Sequence, residues 1–393
     1  MPMTPHKRSE RSVGWMGLKR GHRAKPLEWL AEKLIFVVSL SAILMIFLIF
    51  VFIGREAIPV AFGRMDSSLT QKALAVEDMD KISPKELQEY LGLTDKQFAG
   101  MDRETRQALM ESKLDEVKSA SKDKDAALNT TRWKYLLEPH QWSGYDQPSY
   151  IWQPISEIRK YNIIPLIIGS LKTTLVSLLV GVPLALAAAL YVSQLARPRV
   201  REIAKPVIEL LSGVPSVVLG FFGLMVMATV LQKVFGYESR LNAFVAGIAL
   251  GFSVIPVVFS IAEDALTSVP RSYVQAALAL GASKWKAAWQ VVLPAALPGV
   301  FAAVALGFGR AIGETMIVLM ASGNASIVSG SIFDSTRSIT ATIAAELGEA
   351  VFGGHHYRIL FLIGVLLFAV TFVSNLVADL IMHRLKANME GRR

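Results

Sequence analysis

Long apolar segments alternate with charged segments along this chain of 393 residues. Residues 34–53 form a run of twenty positions without a charge, which is long enough to cross the hydrocarbon core of a bilayer as a helix. No small-residue cleavage pattern follows closely, so we expect an uncleaved anchor. Five further apolar segments lie at 163–195, 207–234, 243–261, 297–321 and 359–382. The pattern predicts an all-α polytopic membrane protein with six transmembrane helices.

The charges between the apolar segments predict an orientation. Residues 1–33 carry eight Lys or Arg against three Glu, and 197–205 carry four against one Glu. The tail 384–393 is also basic, whereas 55–160 hold sixteen basic and eighteen acidic residues. Positive charge on the inner side therefore places both termini in the cytoplasm and the long insert outside. The net charge of +9 then reflects topology and anionic lipid, and we expect no nucleic-acid partner.

On this pattern the chain divides into five parts. They are a basic cytoplasmic N-terminus at 1–33, the first transmembrane helix at 34–53, a helical extracytoplasmic insert at 54–160, a five-helix core at 161–383 and a cytoplasmic tail at 384–393. In the insert, Ser83 and Thr94 open sequences typical of helix starts, and 102–118 reads as an amphipathic helix. Six Trp and Tyr residues between 133 and 152 indicate either a patch on the membrane surface or a small aromatic core.

The fifth apolar segment contains two charges, Arg310 and Glu314. Four residues apart on a helix, their side chains are expected on one face. Because an arginine at the centre of a membrane helix costs about 2.5–3.5 kcal/mol, the pair should face a polar interior. Two interpretations remain open. In one, Arg310 screens a translocating anion, with Glu314 and Thr315 beside it; in the other, the ion pair only fixes helix packing.

Hydroxyl groups provide further candidates. Ser212 and Ser216 flank Pro215, which removes a backbone donor and bends the helix, so these hydroxyls either satisfy freed carbonyls or line the anion path. The loop 322–342 around Arg337 either closes over an anion, contacts a delivering protein or is a solvated connection. His355-His356 lacks a third ligand at suitable spacing, and no metal site is expected.

The segment 262–294 contains a small-residue helix that ends at a glycine. Gln275, Ala276 and Ala277 precede Gly281, and Leu293-Pro294 follows. Small side chains let another protein approach the backbone closely, and glycine readily takes the positive φ that turns a chain out of a helix. These residues resemble the EAA loop of ABC-transporter permeases, the coupling helix that docks into the ATP-hydrolysing subunit. The leading Glu of that family is Gln275 here.

Other segments resemble the permeases of the phosphate (Pst-type) importer, on its PstC-type branch. They are 164–174, 211–218, 309–315, 322–324 and 339–346. The resemblance implies a type I ABC importer permease in the bacterial cytoplasmic membrane. It also implies a second, PstA-like permease, two ATP-binding subunits and an extracytoplasmic phosphate-binding protein as partners. It does not extend to 55–150.

Motifs that are absent from the sequence narrow the function. There is no G-x-x-x-x-G-K-[ST] loop for ATP and no Ser/His/Asp or G-x-S-x-G arrangement, so we expect a permease subunit without cofactor, with ATP on a partner. A permease for another oxyanion, such as molybdate or sulfate, stays an alternative. So does a membrane-anchored sensor that uses the insert as receptor. A secondary carrier explains Arg310 and Glu314 but not the coupling loop.

Overall fold

The structure, a computed structural model, describes residues 26–63, 87–88, 91, 93, 95–120, 125, 128–156 and 158–389. It divides into two compact units, Met1–Phe52 and Ile53–Arg393. The first helix, α1, spans Pro26–Ala61 and is longer than the predicted 34–53. Within the first unit, its side chains from 34 onward form an exposed apolar surface, as expected of a membrane span.

The insert between the first and second spans is built from three helices and two short strands among its described residues. They are α2 (Asp95–Ala99), α3 (Arg103–Ala120), α4 (Trp133–Leu137), β1 (Trp152–Gln153) and β2 (Lys160–Tyr161). Helix α3 confirms the amphipathic helix predicted at 102–118, and the Asp102 carboxylate accepts the Thr105 N–H at 3.2 Å at its start. The predicted helix starts at Ser83 and Thr94 lie outside the described residues.

The rest of the chain is helical. Its helices are α5 (Ile164–Leu190), α6 (Pro198–Leu210), α7 (Ser216–Phe222), α8 (Ala228–Phe235), α9 (Ala243–Thr267), α10 (Arg271–Ala279), α11 (Lys284–Ala287), α12 (Leu293–Ala295), α13 (Leu297–Gly313), α14 (Met316–Ala321), α15 (Ile339–Glu346) and α16 (His355–Met389). Wider π-helical turns at Tyr191–Leu195, Gly223–Met227 and Ala288–Val292 continue α5, join α7 to α8 and join α11 to α12.

Among the described residues, five continuous helical segments are long and apolar enough to cross a membrane. They are Ala31–Ala61, Ile164–Leu195, Ser216–Phe235, Ala243–Thr267 and His355–Arg384. A sixth span results when Lys284–Ala295 and Leu297–Gly313, which meet at an angle of 73°, are counted together. The predicted six-helix membrane fold is therefore confirmed in order, and in number when the bent pair is counted as one span.

Two predicted spans are interrupted. The segment 207–234 is wrong as one helix, because α6 ends at Leu210 and the backbone is extended at Pro215 before α7 begins. Proline is tolerated at such a start because the missing N–H would have no helical partner. The segment 297–321 is broken after Gly313, since Glu314 is also extended, with φ −70° and ψ 132°.

Helix α9 lies at the centre of the second unit and packs against α5 and α13. A β-carbon on Gly181 of α5 would lie 3.0 Å from the carbonyl oxygen of Gly251 in α9. One on Gly307 of α13 would lie 2.5 Å from the Val258 side chain. Both approaches are too close for a larger residue, so these glycines set the spacing of the three helices.

The aromatic residues of the insert form a small core. Of the six predicted aromatic residues, Trp142 and Trp152 are each 2% exposed and form a core, whereas Trp133 and Tyr145 are 38% and 39% exposed, so the core interpretation holds for part of the set. Trp152 and Tyr161 also belong to one apolar cluster with Ile359 of α16. The part of the insert that follows residue 128 thus packs against the transmembrane helices of the same compact unit and is not a separate domain.

Candidate functional site: a coupling helix and two interrupted spans

The coupling segment forms the helix that the sequence predicts. Helix α10 contains Gln275, Ala276 and Ala277, and it ends at Gly281, whose φ is +83°. The Gly281 N–H donates to Leu278 O and the Ala282 N–H donates to Ala277 O, both at 3.0 Å. This pair of bonds is a Schellman motif, which satisfies the last carbonyls of the helix and requires the left-handed backbone.

The surface of α10 is available to a partner. Gln275 and Ala276 are exposed and Ala277 is half-buried. A β-carbon on Gly281 would meet nothing within 4 Å, so its backbone conformation, and not crowding, favours glycine. Leu293 and Pro294, the other predicted coupling residues, form the short helix α12 directly before the 73° bend. They end the coupling segment and do not lie on α10.

Arg310 and Glu314 do not form the predicted ion pair. Arg310 is exposed in the last turn of α13, and no ion pair within the described part of the chain includes it. Glu314 lies beyond the helix in extended conformation, so the spacing of four residues does not place both side chains on one helical face. The prediction failed because it assumed a continuous helix through Gly313.

Glu314 instead closes the break in the fifth span. Its carboxylate oxygen Oε1 accepts the backbone N–H of Thr315 at 3.1 Å and of Met316 at 3.3 Å. Its carbonyl oxygen accepts the Thr340 hydroxyl of α15 at 2.8 Å. A carboxylate on free N–H groups at the start of a helix is a stabilising cap. Glu314 therefore holds the geometry of the break beside Arg310.

Ser212 and Ser216 lie at the break in the third span. The Ser212 hydroxyl donates to Glu209 O at 2.6 Å, which is the structural use that the sequence left open. Ser216 is the first residue of α7 and is half-buried. An open cavity of about 400 Å³ adjoins this break; it is lined by Glu209, Ser212, Pro256, Val257, Ser260 and Ile261.

The two breaks lie side by side. A β-carbon on Gly220 of α7 would lie 3.0 Å from Met316 O, and one on Gly223 would lie 3.4 Å from the Ala321 β-carbon. Helices α7 and α14 therefore run in the same direction, and the start of α14 lies opposite the second turn of α7. Ser216, four residues before Gly220, lies about one helical turn before the level of Met316. The sequence predicted the residues but not their juxtaposition, which arises from glycine-mediated packing.

A buried charge cluster was missed by the sequence analysis. Glu263, near the end of α9, has a side chain that is 1% exposed and pairs with Arg201 at 2.6 Å and Lys205 at 2.7 Å, both on α6. The Thr267 hydroxyl donates to the same carboxylate at 3.0 Å. The hydrogen bond from Lys205 to Glu263 raises the pKa of that lysine. The sequence feature that could have revealed this cluster was Glu263 itself, an acidic residue directly after the apolar segment 243–261.

A second cluster joins the insert to the core. The Trp152 indole N–H donates to both Glu346 oxygens at 3.2 and 3.1 Å, and Arg337 pairs with Glu346 at 2.8 Å. His356 lies 3.4 Å from the same carboxylate. Burial raises the pKa of the Glu346 carboxyl. Arg337 thus already pairs with Glu346. This argues against the interpretation in which the loop 322–342 closes over an anion.

The sequence of this chain is similar to those of known membrane transport proteins. The family model described as binding-protein-dependent transport system inner membrane component matches residues 181–390. The probable ABC transporter permease protein YqgH of Bacillus subtilis is 34% identical over 236 residues, which cover 60% of this chain and 76% of that protein. The phosphate transport system permease protein PstC of Pasteurella multocida is 32% identical over 261 residues, covering 62% of this chain and 80% of that protein.

Among solved structures, a chain of the inward-facing MetNI methionine ABC transporter superposes with a TM-score of 0.43 at 18% identity, covering 57% of this chain and 94% of that one. The family assignment comes from sequence. The family model matches more than half of the residues of this chain, and the two permeases are about one-third identical to it over most of their own lengths. The chain therefore belongs to the family of inner membrane components of binding-protein-dependent transport systems.

Proposed function

We propose that this chain is one of the two permease subunits of an ATP-driven phosphate importer, and that it forms the anion path together with a second, related permease. Membership of the family implies association with ATP-binding and substrate-binding components. Phosphate is favoured as the substrate because relatives at 32–33% identity are named phosphate transport permeases. ATP is hydrolysed by the partner subunits, and an extracytoplasmic phosphate-binding protein delivers the anion.

The exposed guanidinium of Arg310 is the observation that carries the anion path. An uncompensated arginine within a membrane span costs about 2.5–3.5 kcal/mol when it faces lipid, so this face of α13 must adjoin protein or a water-filled path. Arg310 ends a half-helix, and interrupted transmembrane helices commonly form substrate sites where backbone polar groups are freed. The guanidinium supplies a planar set of donors that matches phosphate oxygens. Thr315, five residues further along the same span, and Ser216, at the start of α7, supply hydroxyl groups.

The exposed surface of α10 supports the coupling role. Small residues on this helix allow a close approach by the ATP-binding subunit, and the Schellman motif fixes where the helix ends. A rigid helix transmits a displacement of the ATP-binding subunit to α9, because only the three residues from Ser268 to Pro270 connect α9 to α10. Gln275 contributes a hydrogen-bonding amide where the family commonly has a carboxylate.

The orientation with α10 in the cytoplasm is supported by the basic residues of α6 and α11, because Tyr191–Leu195, which precedes α6, contacts α11. Because the chain contains no cysteine, single cysteines report topology without background. An impermeant thiol reagent is expected to label Gln153→Cys in intact cells and Glu202→Cys only after permeabilisation. The reverse pattern would place the coupling helix on a side without ATP and would refute the proposal.

The substrate is tested with the reconstituted complex of both permeases and the ATP-binding subunits. We expect its ATPase activity to rise when the binding protein is loaded with phosphate, and uptake into vesicles to require ATP and not an ion gradient. Stimulation by a sulfate- or molybdate-loaded binding protein, but not by the phosphate-loaded one, would identify another oxyanion. Uptake that follows an ion gradient without ATP would refute the importer itself.

A further inference from the structure

The segment that follows the coupling helix lies at a steep angle to the span it precedes. Lys284–Ala295 meets Leu297–Gly313 at 73°, and the latter, which belongs to the fifth predicted span, packs against the membrane-spanning helix α9. The segment therefore runs much closer to the membrane plane than to its normal. One side of it is buried, because Ala287, Ala288 and Val292 are at most 1% exposed, and the last two belong to the main apolar cluster.

The other side presents two tryptophans. Trp285 is 57% exposed and Trp289 is 54% exposed, and their rings stack with centroids 6.1 Å apart and an interplanar angle of 14°. Such large apolar side chains are rarely left in water as a pair. Tryptophan is enriched at membrane–water interfaces, where the ring contacts the acyl boundary and the indole N–H reaches the headgroups. A segment that runs close to the membrane plane holds such a pair at that depth.

Positive charge surrounds the tryptophans. Lys284 and Lys286 flank Trp285 and are exposed, and they form no ion pair with any part of the chain that the structure describes. Tyr191–Leu195 contacts Lys284–Ala287, so Arg197 and Arg199, which follow it and are exposed, lie at the same end of the molecule. Uncompensated cations next to a membrane attract anionic lipid.

We propose that Lys284, Trp285, Lys286 and Trp289, here called the KWKW surface, bind the headgroups of anionic phospholipid in the leaflet on the side of the coupling helix. The lipid contact holds the segment between α10 and α13 at the membrane, so that a movement of α10 bends the chain near Ala296. An anionic lipid fits this surface better than the ATP-binding subunit does, because the surface combines interfacial tryptophans with free lysines. The proposal goes beyond the transport function and does not depend on which anion is carried.

The test uses the neighbouring exposed residue Gln290 in the full chain. Gln290→Cys is the only thiol on this chain and carries an environment-sensitive fluorophore. In nanodiscs, lipids with a spin label near the headgroup are expected to quench it strongly and aqueous iodide weakly, whether or not the ATP-binding subunits are assembled. Strong iodide quenching that disappears on assembly would assign the surface to the ATP-binding subunit and overturn the proposal.

Anionic lipid is tested by composition and charge. Adding phosphatidylglycerol to phosphatidylcholine nanodiscs is expected to increase quenching by the spin-labelled lipid, and Lys284→Gln/Lys286→Gln is expected to abolish that increase. Lys134→Gln/Lys233→Gln, which removes the same charge outside the KWKW surface, should retain it. An unchanged response in the Lys284→Gln/Lys286→Gln protein would refute recognition of the anionic headgroup. Trp285→Leu/Trp289→Leu should weaken lipid quenching at both compositions.

Discussion

Lys205 of α6 and Glu263 of α9, fifty-eight residues apart in the sequence, meet at 2.7 Å around a carboxylate that is almost fully buried. Arg201 reaches the other oxygen of the same group at 2.6 Å. Helix α9 leads directly into the coupling helix, whereas α6 precedes the break in the third span. The cluster therefore fixes the end of α9 against the helix that precedes the break in the third span.

Neutralising Glu263 is expected to destabilise the protein. In Glu263→Gln, Arg201 and Lys205 lose this shared partner, but their side chains are 39% and 32% exposed, so we expect a loss smaller than the roughly 3–5 kcal/mol of a fully buried pair. Thermal unfolding of the purified protein measures the loss. Asp264→Asn is the matched control, because Asp264 is 71% exposed and lies 3.3 Å from the same lysine. Equal melting temperatures for Glu263→Gln and wild type would show that the cluster does not stabilise the fold.

Alkaline pH should weaken the same contact. Because the hydrogen bond to Glu263 raises the pKa of Lys205 above its ordinary value of 10.5, the stabilisation is complete below that value. It is lost as the pH rises through the raised pKa, when the folded protein loses the proton. The melting temperature should therefore fall more steeply above about pH 10 in wild type than in Lys205→Met. Parallel profiles would contradict this expectation.

The hydrogen bond from the Trp152 indole N–H to the Glu346 carboxylate is expected to hold the insert against the helical core. Trp152→Phe keeps an aromatic ring but removes the donor to Glu346, and a hydrogen bond to a charged group contributes about 1.5–3 kcal/mol. Trp133→Phe is the matched control, since its N–H donates at 2.8 Å to a neutral carbonyl, that of Ala61. Limited proteolysis within the insert should be faster in Trp152→Phe. If both variants are cleaved equally, the charge on Glu346 is unimportant.

The comparison of sequence and structure shows where local pattern is sufficient. The turn at Gly281 was predictable, because a glycine after a run of small helix-forming residues has one common use. The pair of Lys205 and Glu263 was not, because it depends on how α6 packs against α9. The prediction for Arg310 and Glu314 failed for a local reason, since hydrophobicity continues through a break that the backbone makes at Glu314.

Gly281 allows a test of coupling that changes the backbone alone. A β-carbon meets nothing there, so Gly281→Val acts through its positive φ, a conformation that costs roughly 1–2 kcal/mol for residues other than glycine and more for a branched one. We expect Gly281→Val to lose co-purification of the ATP-binding subunit, or to hydrolyse ATP without transport. Asparagine tolerates this conformation, so Gly281→Asn should remain coupled. Wild-type transport by Gly281→Val would rule out docking at this turn.

Arg310 is expected to act on the anion and not on Glu314. Because Glu314 caps α14 and forms no ion pair with Arg310, removing both charges should not restore what the loss of Arg310 destroys. Arg310→Gln and Arg310→Gln/Glu314→Gln should both assemble with their partners yet lack uptake. Arg310→Lys should also fail, because an ammonium group does not reproduce the planar fork of the guanidinium. Lys233→Gln, at the exposed end of α8, controls for charge and should transport normally.

Glu314 is expected to show the opposite behaviour. Glu314→Gln retains an oxygen that accepts the Thr315 and Met316 N–H groups, so its uptake should be reduced only mildly, whereas Glu314→Ala loses the cap at about 0.5–2 kcal/mol. Uptake and thermal unfolding, measured on the same preparations, separate these effects from those at Arg310.

Near-normal uptake by the double variant with both charges removed would show that the two residues form a pair during transport. The anion path would then have to run along the hydroxyls of Ser212, Ser216 and Thr315.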